Sequence, residues 1–205
     1  MAHVLAAGGG FLFAEVLGYF LHILLHAEKL PALSRGHMRH HLRDYGPRSA
    51  LRTRAYVRST RGRFGIRGIG FEWLAPLALT SGAIVGFASV LDVERGPLAA
   101  FMTAAVAWSL FMFAHMHEGM HVQRFWMADV PWFGRWFIAA RRRHDIHHRE
   151  LSDDGRMIRN YGICFFFMDR LCGTLSTRHP PFNEKGYAAA RERYAFIFRE
   201  DPRST

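Results

Sequence analysis

The sequence predicts an all-α integral membrane bundle, with about three spanning helices, interfacial helices and a histidine-rich cap on the cytoplasmic side. Three observations predict this fold. Half of the 205 residues are apolar, these residues gather into three long runs, and a formal net charge of +10 is concentrated between and after the runs. The mean hydropathy is only −0.04 because apolar and charged residues are segregated along the chain. A chain of this length is most simply one domain, residues 1–205.

The three apolar runs are the predicted spans, at about residues 4–25, 71–91 and 97–116. Each run holds about 20 residues, which as a helix matches the roughly 30 Å hydrocarbon core of a bilayer. A large soluble bundle with buried helices is the alternative interpretation of the same runs.

The distribution of arginine predicts the orientation of the spans. Residues 29–70 contain ten Arg and one Lys but only one acidic residue, Asp44, whereas residues 92–96 between the second and third runs are net negative. By the positive-inside rule the arginine-rich loop is cytoplasmic. Segments 26–70 and 117–205 then form a cytoplasmic cap. We therefore interpret the basic charge as topology and lipid headgroup contact, and expect no nucleic-acid partner.

Ten of the thirteen histidines fall into four short sets at helical spacing. Two sets have the pattern HxxxH and lie at the ends of the first and third runs, and two have the pattern HxxHH and lie in the predicted cap. Residues three and four apart share one face of a helix, so each set presents two or three imidazoles together. The sets are His22 and His26; His37, His40 and His41; His117 and His121; and His144, His147 and His148.

The predicted topology places all four sets on one membrane face, where they can converge. Imidazole is a common nitrogen ligand of iron, zinc and copper. Ten imidazoles exceed what one ion can use, so the sequence predicts a site for two metals, with no catalytic residue separate from the ligands. His3, His115 and His179 fall outside the pattern, and we expect them to bind no metal.

The order of these sets resembles the fatty acid hydroxylase/sterol desaturase superfamily, whose pattern is HxxxH or HxxxxH, HxxHH, HxxxH and HxxHH. The similarity extends from about His22 to Thr174. The segment NYGICFFFMDRLCGT at residues 160–174 is similar to the closing segment of the family, and DYGP at residues 44–47 to the turn that follows the second set. The resemblance implies a membrane-bound non-haem diiron oxygenase that uses dioxygen and two electrons on a lipid-like substrate.

The same resemblance implies that the ten histidines bind two iron ions. Zinc is a possible occupant in purified protein, but it lacks the redox chemistry that oxygen activation needs. We expect a lipid substrate in the membrane and electrons from an external reductant, such as a ferredoxin or a cytochrome b5-like protein.

Hydroxylation of a fatty acyl or other lipid chain is the leading functional prediction. Carotenoid ring hydroxylation and lipid desaturation remain alternatives, because residues 122–143 are similar to bacterial carotenoid ring hydroxylases as well as to acyl hydroxylases. A non-enzymatic alternative is a membrane protein that binds or transports metal. A transporter is expected to hold its metal at membrane depth, whereas these histidines lie at helix ends and in the cap.

Four other polar residues are candidates for supporting roles. Metal-bound imidazoles usually donate their outer N–H to a carboxylate or carbonyl, and Glu118 and Asp145 lie inside two of the sets. Asn160, which begins the closing segment, is a third candidate for such support or for helix capping. Glu15 lies two helical turns before His22 on the same face. A carboxylate within a span normally faces protein or a cavity, so we expect Glu15 to line a substrate channel or to join helices through a buried hydrogen bond.

Overall fold

The computed structural model describes residues 1–60, 65–66 and 69–198 of the chain. Most of these residues are helical, which confirms the predicted all-α class. The predicted cap segments also include residues 61–64, 67–68 and 199–205, which lie outside the described residues.

In chain order the helices are α1 (Ala2–Leu25), α2 (Pro31–Arg39), α3 (Arg54–Ser59), α4 (Phe71–Val90), α5 (Arg95–Leu110), α6 (His117–His121), α7 (Gly134–Arg149), α8 (Phe167–Leu171) and α9 (Glu184–Arg193). Shorter turns join them, π-helical at His40–Asp44 and Phe111–Met116 and 3-10 at Trp126–Asp129 and Ala195–Ile197. Two antiparallel strands of two residues each, β1 (Gly65–Ile66) and β2 (Ile69–Gly70), precede α4.

Among the described residues, three helices are long and apolar enough to cross a bilayer, as the sequence predicts. They are Ala2–Leu25, Trp73–Val90 and Arg95–His121, the last formed by α5, the second π-helical turn and α6. Helices of 24, 18 and 27 residues reach about as far as the hydrocarbon core is thick.

The first and third spans pack closely because α1 carries small residues on the contact face. Gly10, Ala14 and Gly18 are spaced four residues apart and therefore share that face. A Cβ atom at Gly10 would lie 2.1 Å from the carbonyl oxygen of Phe101, and one at Gly18 would lie 3.1 Å from the ring of Phe113. Small residues at such positions let two membrane helices approach to backbone contact.

The second span turns most of its surface away from the rest of the protein. Trp73 at its cap end is buried, whereas Leu79, Val85, Phe87 and Val90 along its length are exposed. Exposed apolar side chains on a helix of this length are suited to contact with lipid tails. The buried end of α4 thus lies beside the cap, next to the histidines.

Both π-helical turns coincide with histidine sets. One contains His40 and His41, and the other ends directly before His117. A π-helical turn widens the helix by one residue per turn and changes where the following side chains point. The two turns therefore set the directions of histidines at the places where the spans meet the cap.

Backbone pairing and an apolar cluster hold the cap in place. Arg52 donates its backbone N–H to the carbonyl of His121 at 2.7 Å, and Gln123 returns a bond to the carbonyl of Arg52 at 2.9 Å. This pairing fastens the arginine-rich loop to the end of the third span. The cluster packs α2 against α9 and the residues around them, and consists of Met38, Leu42, Leu151, Met157, Ala190, Tyr194 and Ile197.

Candidate metal centre

The structure brings all ten histidines of the four sets together, in two groups of five. Within each group, one ring nitrogen from every member lies within 4.8 Å of the others. The first group is His22, His26, His37, His41 and His147, and the second group is His40, His117, His121, His144 and His148.

The two groups have the same plan, although they are built from different parts of the chain. Each contains one complete HxxxH pair, the first and last histidines of one HxxHH set, and the middle histidine of the other HxxHH set. One histidine of each three-histidine set crosses to the other group. His40 belongs to the second group, although His37 and His41 belong to the first. His147 belongs to the first group, although His144 and His148 belong to the second. The three-histidine sets therefore tie the two groups to each other.

Ring nitrogens within each group face one another at close range. In the first group, Nε2 of His37 lies 3.1 Å from Nε2 of His26 and 3.0 Å from Nε2 of His41. In the second, Nε2 of His144 lies 3.0 Å from that of His121 and 3.2 Å from that of His148. Two nitrogens bound at right angles to one ion, each about 2.1 Å from it, are themselves about 3.0 Å apart. The observed separations fit this arrangement.

Other ring nitrogens are buried and have no hydrogen-bond partner among the described residues. Nε2 of His22 and of His147 is in this state in the first group, and Nε2 of His40 and of His117 in the second. Leaving a polar nitrogen buried and unpaired costs about 1–3 kcal/mol. Four such atoms converging with six others fit a metal-binding role, because one cation in each group would satisfy the two unpaired nitrogens of that group.

Burial also keeps the imidazoles in the cap neutral. It lowers the pKa of His37, His41 and His144 well below the usual value, and neighbouring imidazoles add to the effect. Burial lowers the pKa of His147 to about 4, against an opposing contribution from its hydrogen bond to Arg159. A neutral imidazole has a free lone pair on one nitrogen, which is the form that binds a metal.

Backbone carbonyls fix the tautomer of four histidines, two in each group. In the first group, Nδ1 of His22 donates to the carbonyl of Tyr161 at 2.5 Å, and Nδ1 of His147 to that of Arg159 at 2.6 Å. A carbonyl only accepts, so Nδ1 carries the proton and Nε2 is left for a metal.

The second group shows the same pattern. Nδ1 of His121 donates to the carbonyl of Ala50 at 2.9 Å, and Nδ1 of His148 to that of Tyr45 at 2.8 Å. Tyr45 lies in the DYGP turn and Tyr161 in the closing segment. Each of these two motifs therefore supplies a carbonyl that orients a histidine.

The closing segment is itself held by two buried side chains, Asn160 and Asp169. The Asn160 amide donates to the carbonyls of Arg143 and Ser176, both at 2.9 Å, and accepts from the backbone N–H of Ser176. It adopts a left-handed backbone, with φ of 55°, which Asn tolerates better than most residues. Asn160 thus fixes the backbone between the two carbonyls that hold His147 and His22.

Asp169 supports the same backbone from the other side. Its carboxylate accepts the backbone N–H groups of Tyr161 and Gly162, both at 2.7 Å, and the hydroxyl of Thr174 at 2.8 Å. A Cβ atom at Gly162 would lie 2.7 Å from the carboxylate, so glycine is needed for this contact. Thr174 also bonds the hydroxyl of Tyr19 at 3.0 Å, which joins the closing segment to α1.

The remaining candidate polar residues lie apart from these carbonyl contacts. Asp145 pairs with Nε2 of His179 at 3.2 Å, on the partly exposed side of α7. Glu118 lines a groove with Arg54 and His115 beside the second group. Their sequence positions inside the histidine sets point them away from the faces on which the ligands lie.

Glu15 joins the first and third spans. Its Oε1 accepts a hydrogen bond from the indole Nε1–H of Trp108 at 2.7 Å, and the carboxyl is buried. Two polar groups that would be costly in hydrocarbon are thereby paired with each other. The contact corresponds to the buried hydrogen bond that was one of the two expectations for this residue.

Sequence reasoning did not identify the division of the histidines, the carbonyl partners or the role of Trp73. Trp73 contacts the rings of His22 and His37 from the membrane side, with centroid separations of 6.1 and 5.9 Å. No spacing rule connects residue 73 to residues 22 and 37, since the contact depends on how α4 packs. The DYGP turn and the closing segment could be recognised in the sequence, but no sequence pattern shows which backbone carbonyl contacts a histidine.

Comparison with protein-family models gives a match to the model described as fatty acid hydroxylase, over residues 8–174. The chain belongs to the fatty acid hydroxylase family. The matched residues include all ten histidines and the closing segment as far as Thr174. Both groups of this fatty acid hydroxylase family member thus lie within the matched range, and the resemblance seen in the sequence is confirmed. Comparisons with curated proteins and with solved structures found no match.

Proposed function

We propose that this member of the fatty acid hydroxylase family hydroxylates a C–H bond of a lipid chain at two iron ions held by the two histidine groups. The single observation that carries the proposal is the convergence of ten imidazoles, eight of them buried, into two adjoining groups of five. The family is membrane-bound and typically iron-dependent. Imidazole nitrogens suit iron, as they suit zinc, copper and nickel.

Iron ions bound there would supply the redox chemistry in which dioxygen, two electrons and two protons convert a C–H bond to a C–OH bond and release water. The chain's own contribution is to hold the nitrogens and to exclude bulk water. The carbonyls of Tyr45, Ala50, Arg159 and Tyr161 fix the ring orientations. Burial of the groups keeps competing water away from the reacting carbon.

The proposed reaction takes place on the cytoplasmic side, with electrons from an external carrier such as a ferredoxin or a cytochrome b5-like protein. The arginine excess of residues 29–70 supports this orientation. A reporter that is active only outside the cytoplasm tests it. The fusion after Leu91 is expected to be active and the fusion after His26 inactive, and the reverse pattern would place the histidines on the outer side.

The test of the reaction is oxygen labelling in cells that express the chain. The cells receive heavy-isotope dioxygen, and total lipids, including carotenoids, are compared by mass spectrometry with cells that express His147→Ala. The expected result is one labelled oxygen in a lipid chain that depends on His147. Label in a carotenoid ring would redirect the proposal to that substrate, and loss of two hydrogens without label would make the protein a desaturase.

A non-enzymatic outcome is equally visible in this experiment. If no lipid changes while substrate and reductant are supplied, and the purified chain still binds metal through its histidines, the hydroxylase proposal fails. The protein would then be a metal-binding or metal-transporting membrane protein.

A further inference from the structure

An apolar cleft lies between the three spans, on the membrane side of the first histidine group. It is narrow, with a free volume of only about 10 Å³, and its walls include Leu17, Leu21, Leu77, Leu110, Phe113 and Trp73. All of these residues belong to candidate spans. The cleft therefore lies at the level of the hydrocarbon core and is unfavourable for water.

Trp73 lies at the boundary between this cleft and the first histidine group. Its ring stacks on Phe113 with a centroid separation of 3.8 Å and an interplanar angle of 27°. The same ring contacts His22 at 6.1 Å and His37 at 5.9 Å, and the residue is only 7% exposed. One indole thus borders both the apolar cleft and two of the candidate ligands.

The wall beside the indole leaves little room for a wide ligand. A Cβ atom at Gly18 would already lie 3.1 Å from the Phe113 ring on which Trp73 stacks. The contact between α1 and the third span is closed at this level, so the cleft cannot widen without separating the two helices. A single unbranched hydrocarbon chain suits such a space better than a substituted ring.

We propose that Trp73 is a specificity-determining residue, which sets the carbon of a lipid chain that reaches the first histidine group. The inference rests on the proposed hydroxylase function. A chain held in the cleft has to run past the indole to bring a C–H bond to His22 and His37. The size of the residue-73 side chain therefore fixes the distance between the held part of the chain and the oxidised carbon.

A hydrophobic site discriminates between chains one methylene apart by about 10–200-fold. Removing the indole should change which chain length and which carbon fit best. Trp73→Phe keeps an aromatic ring on Phe113 and is expected to change the product little. Trp73→Leu and Trp73→Ala shorten the side chain between the cleft and the histidines. Phe87→Ala is the matched control, because Phe87 lies on the same helix and is 67% exposed.

The experiment compares products from straight-chain acyl substrates of increasing length. In Trp73→Ala we expect oxygen at a different carbon and a change of about tenfold in the ratio of kcat/KM between chain lengths. Phe87→Ala should keep the position and preference of the unchanged protein. An active Trp73→Ala protein with the original carbon and the original chain-length preference would overturn the inference.

A second readout uses metal-free protein and requires no turnover. Stearic acid carrying bromine on its chain quenches nearby indoles, and the contribution of Trp73 is the difference between the unchanged protein and Trp73→Phe. We expect a saturable component that is lost in Trp73→Phe, although Trp108 and the other indoles remain. This measurement also decides the matter if Trp73→Ala does not fold, since it needs only the unchanged protein and the conservative variant.

The two readouts separate failure of the inference from failure of the proposed function. Saturable quenching of Trp73 without any oxygenated product would support the binding of a lipid chain next to Trp73 and contradict the hydroxylase function. An oxygenated product without Trp73-dependent quenching, and with oxygen at the original carbon in Trp73→Leu, would support the hydroxylase function and contradict the specificity role of Trp73.

Discussion

His41 and His148 lie with their ring centroids 4.0 Å apart, although they belong to different histidine groups. This contact is the closest approach between rings of the two groups among the described residues. Each of the two histidines also contacts a neighbour in its own group: Nε2 of His41 faces Nε2 of His37, and Nε2 of His148 faces Nε2 of His144. The groups therefore share a wall, and loss of one ligand is expected to disturb both.

The crossing histidines provide the first test of this arrangement. His147→Ala removes one candidate ligand of the first group and leaves the other four histidines of that group in place. We expect activity to fall by at least about 100-fold and bound iron to decrease, because a lost metal contact costs no less than a lost supporting contact. Labelled-product yield and iron per chain measure the two effects. His40→Ala should do the same from the second group.

The control for this prediction is His179→Ala. His179 is partly exposed and pairs only with Asp145 in the described contacts, and pairs of this kind contribute roughly 0–1 kcal/mol. We expect near-normal activity and iron content. Full activity in both His147→Ala and His40→Ala would contradict the assignment of ligands.

Asp169 is expected to act on the first histidine group through the closing segment. Asp169→Ala leaves the buried N–H groups of Tyr161 and Gly162 without their acceptor, which costs about 1–3 kcal/mol of folding free energy. The carbonyl of Tyr161 then loses its fixed position beside His22, and we expect iron affinity to fall by about 10–100-fold. Thermal unfolding and iron titration of the folded fraction measure the two effects separately.

A substitution of similar chemistry distinguishes these two effects of Asp169. Asp169→Asn keeps one carbonyl oxygen as an acceptor and should retain more iron than Asp169→Ala. Asp153→Asn, at an exposed carboxylate that pairs with Lys185, should leave iron affinity unchanged. If Asp169→Ala lowers stability but binds iron as tightly as the unchanged protein, the positioning role is wrong.

Gly10 is expected to control the packing of the first span on the third. Gly10→Ala places a methyl group 2.1 Å from the carbonyl oxygen of Phe101, so the helices must separate. Overpacking of this kind typically costs about 1–3 kcal/mol. Gly8→Ala is the matched control, because a Cβ at Gly8 meets nothing within 4 Å. Unfolding in detergent should show a lower Tm for Gly10→Ala alone, and equal values for the two variants would refute the close approach.

Glu15 should matter as a hydrogen-bond acceptor. Glu15→Gln keeps an acceptor for the Trp108 N–H, whereas Glu15→Leu leaves that N–H unpaired within the span. We expect Glu15→Leu to lose about 1–3 kcal/mol of stability and Glu15→Gln to lose much less. Expression level and thermal unfolding are the measurements. Full expression, stability and activity in both variants would exclude a role for this bond.

The parts of the fold that depend on local composition could be predicted from the sequence. A run of about 20 apolar residues has to satisfy its backbone within itself when it meets lipid, so the three spans follow from hydropathy alone. The four histidine sets follow in the same way, because helical spacing decides which imidazoles share a face. Residues 22 and 26 illustrate the rule, since both enter the first group.

The division of the histidines depends on tertiary packing and could not be predicted. His40 and His41 are neighbours in the chain, yet they enter different groups because consecutive residues of one helical turn point in different directions. Asp145 was a candidate to support a ligand from its place between His144 and His147, but the structure turns it toward His179. Backbone carbonyls take the supporting role instead, and their positions depend on turns far away in the sequence.

The most direct test of the central claim is the iron content of the purified chain, measured by elemental analysis together with Mössbauer spectroscopy of the bound iron. Two groups of five histidines, in ring contact through His41 and His148, predict about two iron ions per chain, because each group offers a full set of imidazole donors. They also predict that His147→Ala loses bound iron while His179→Ala keeps it. One iron ion per chain, or none, would contradict the dinuclear centre.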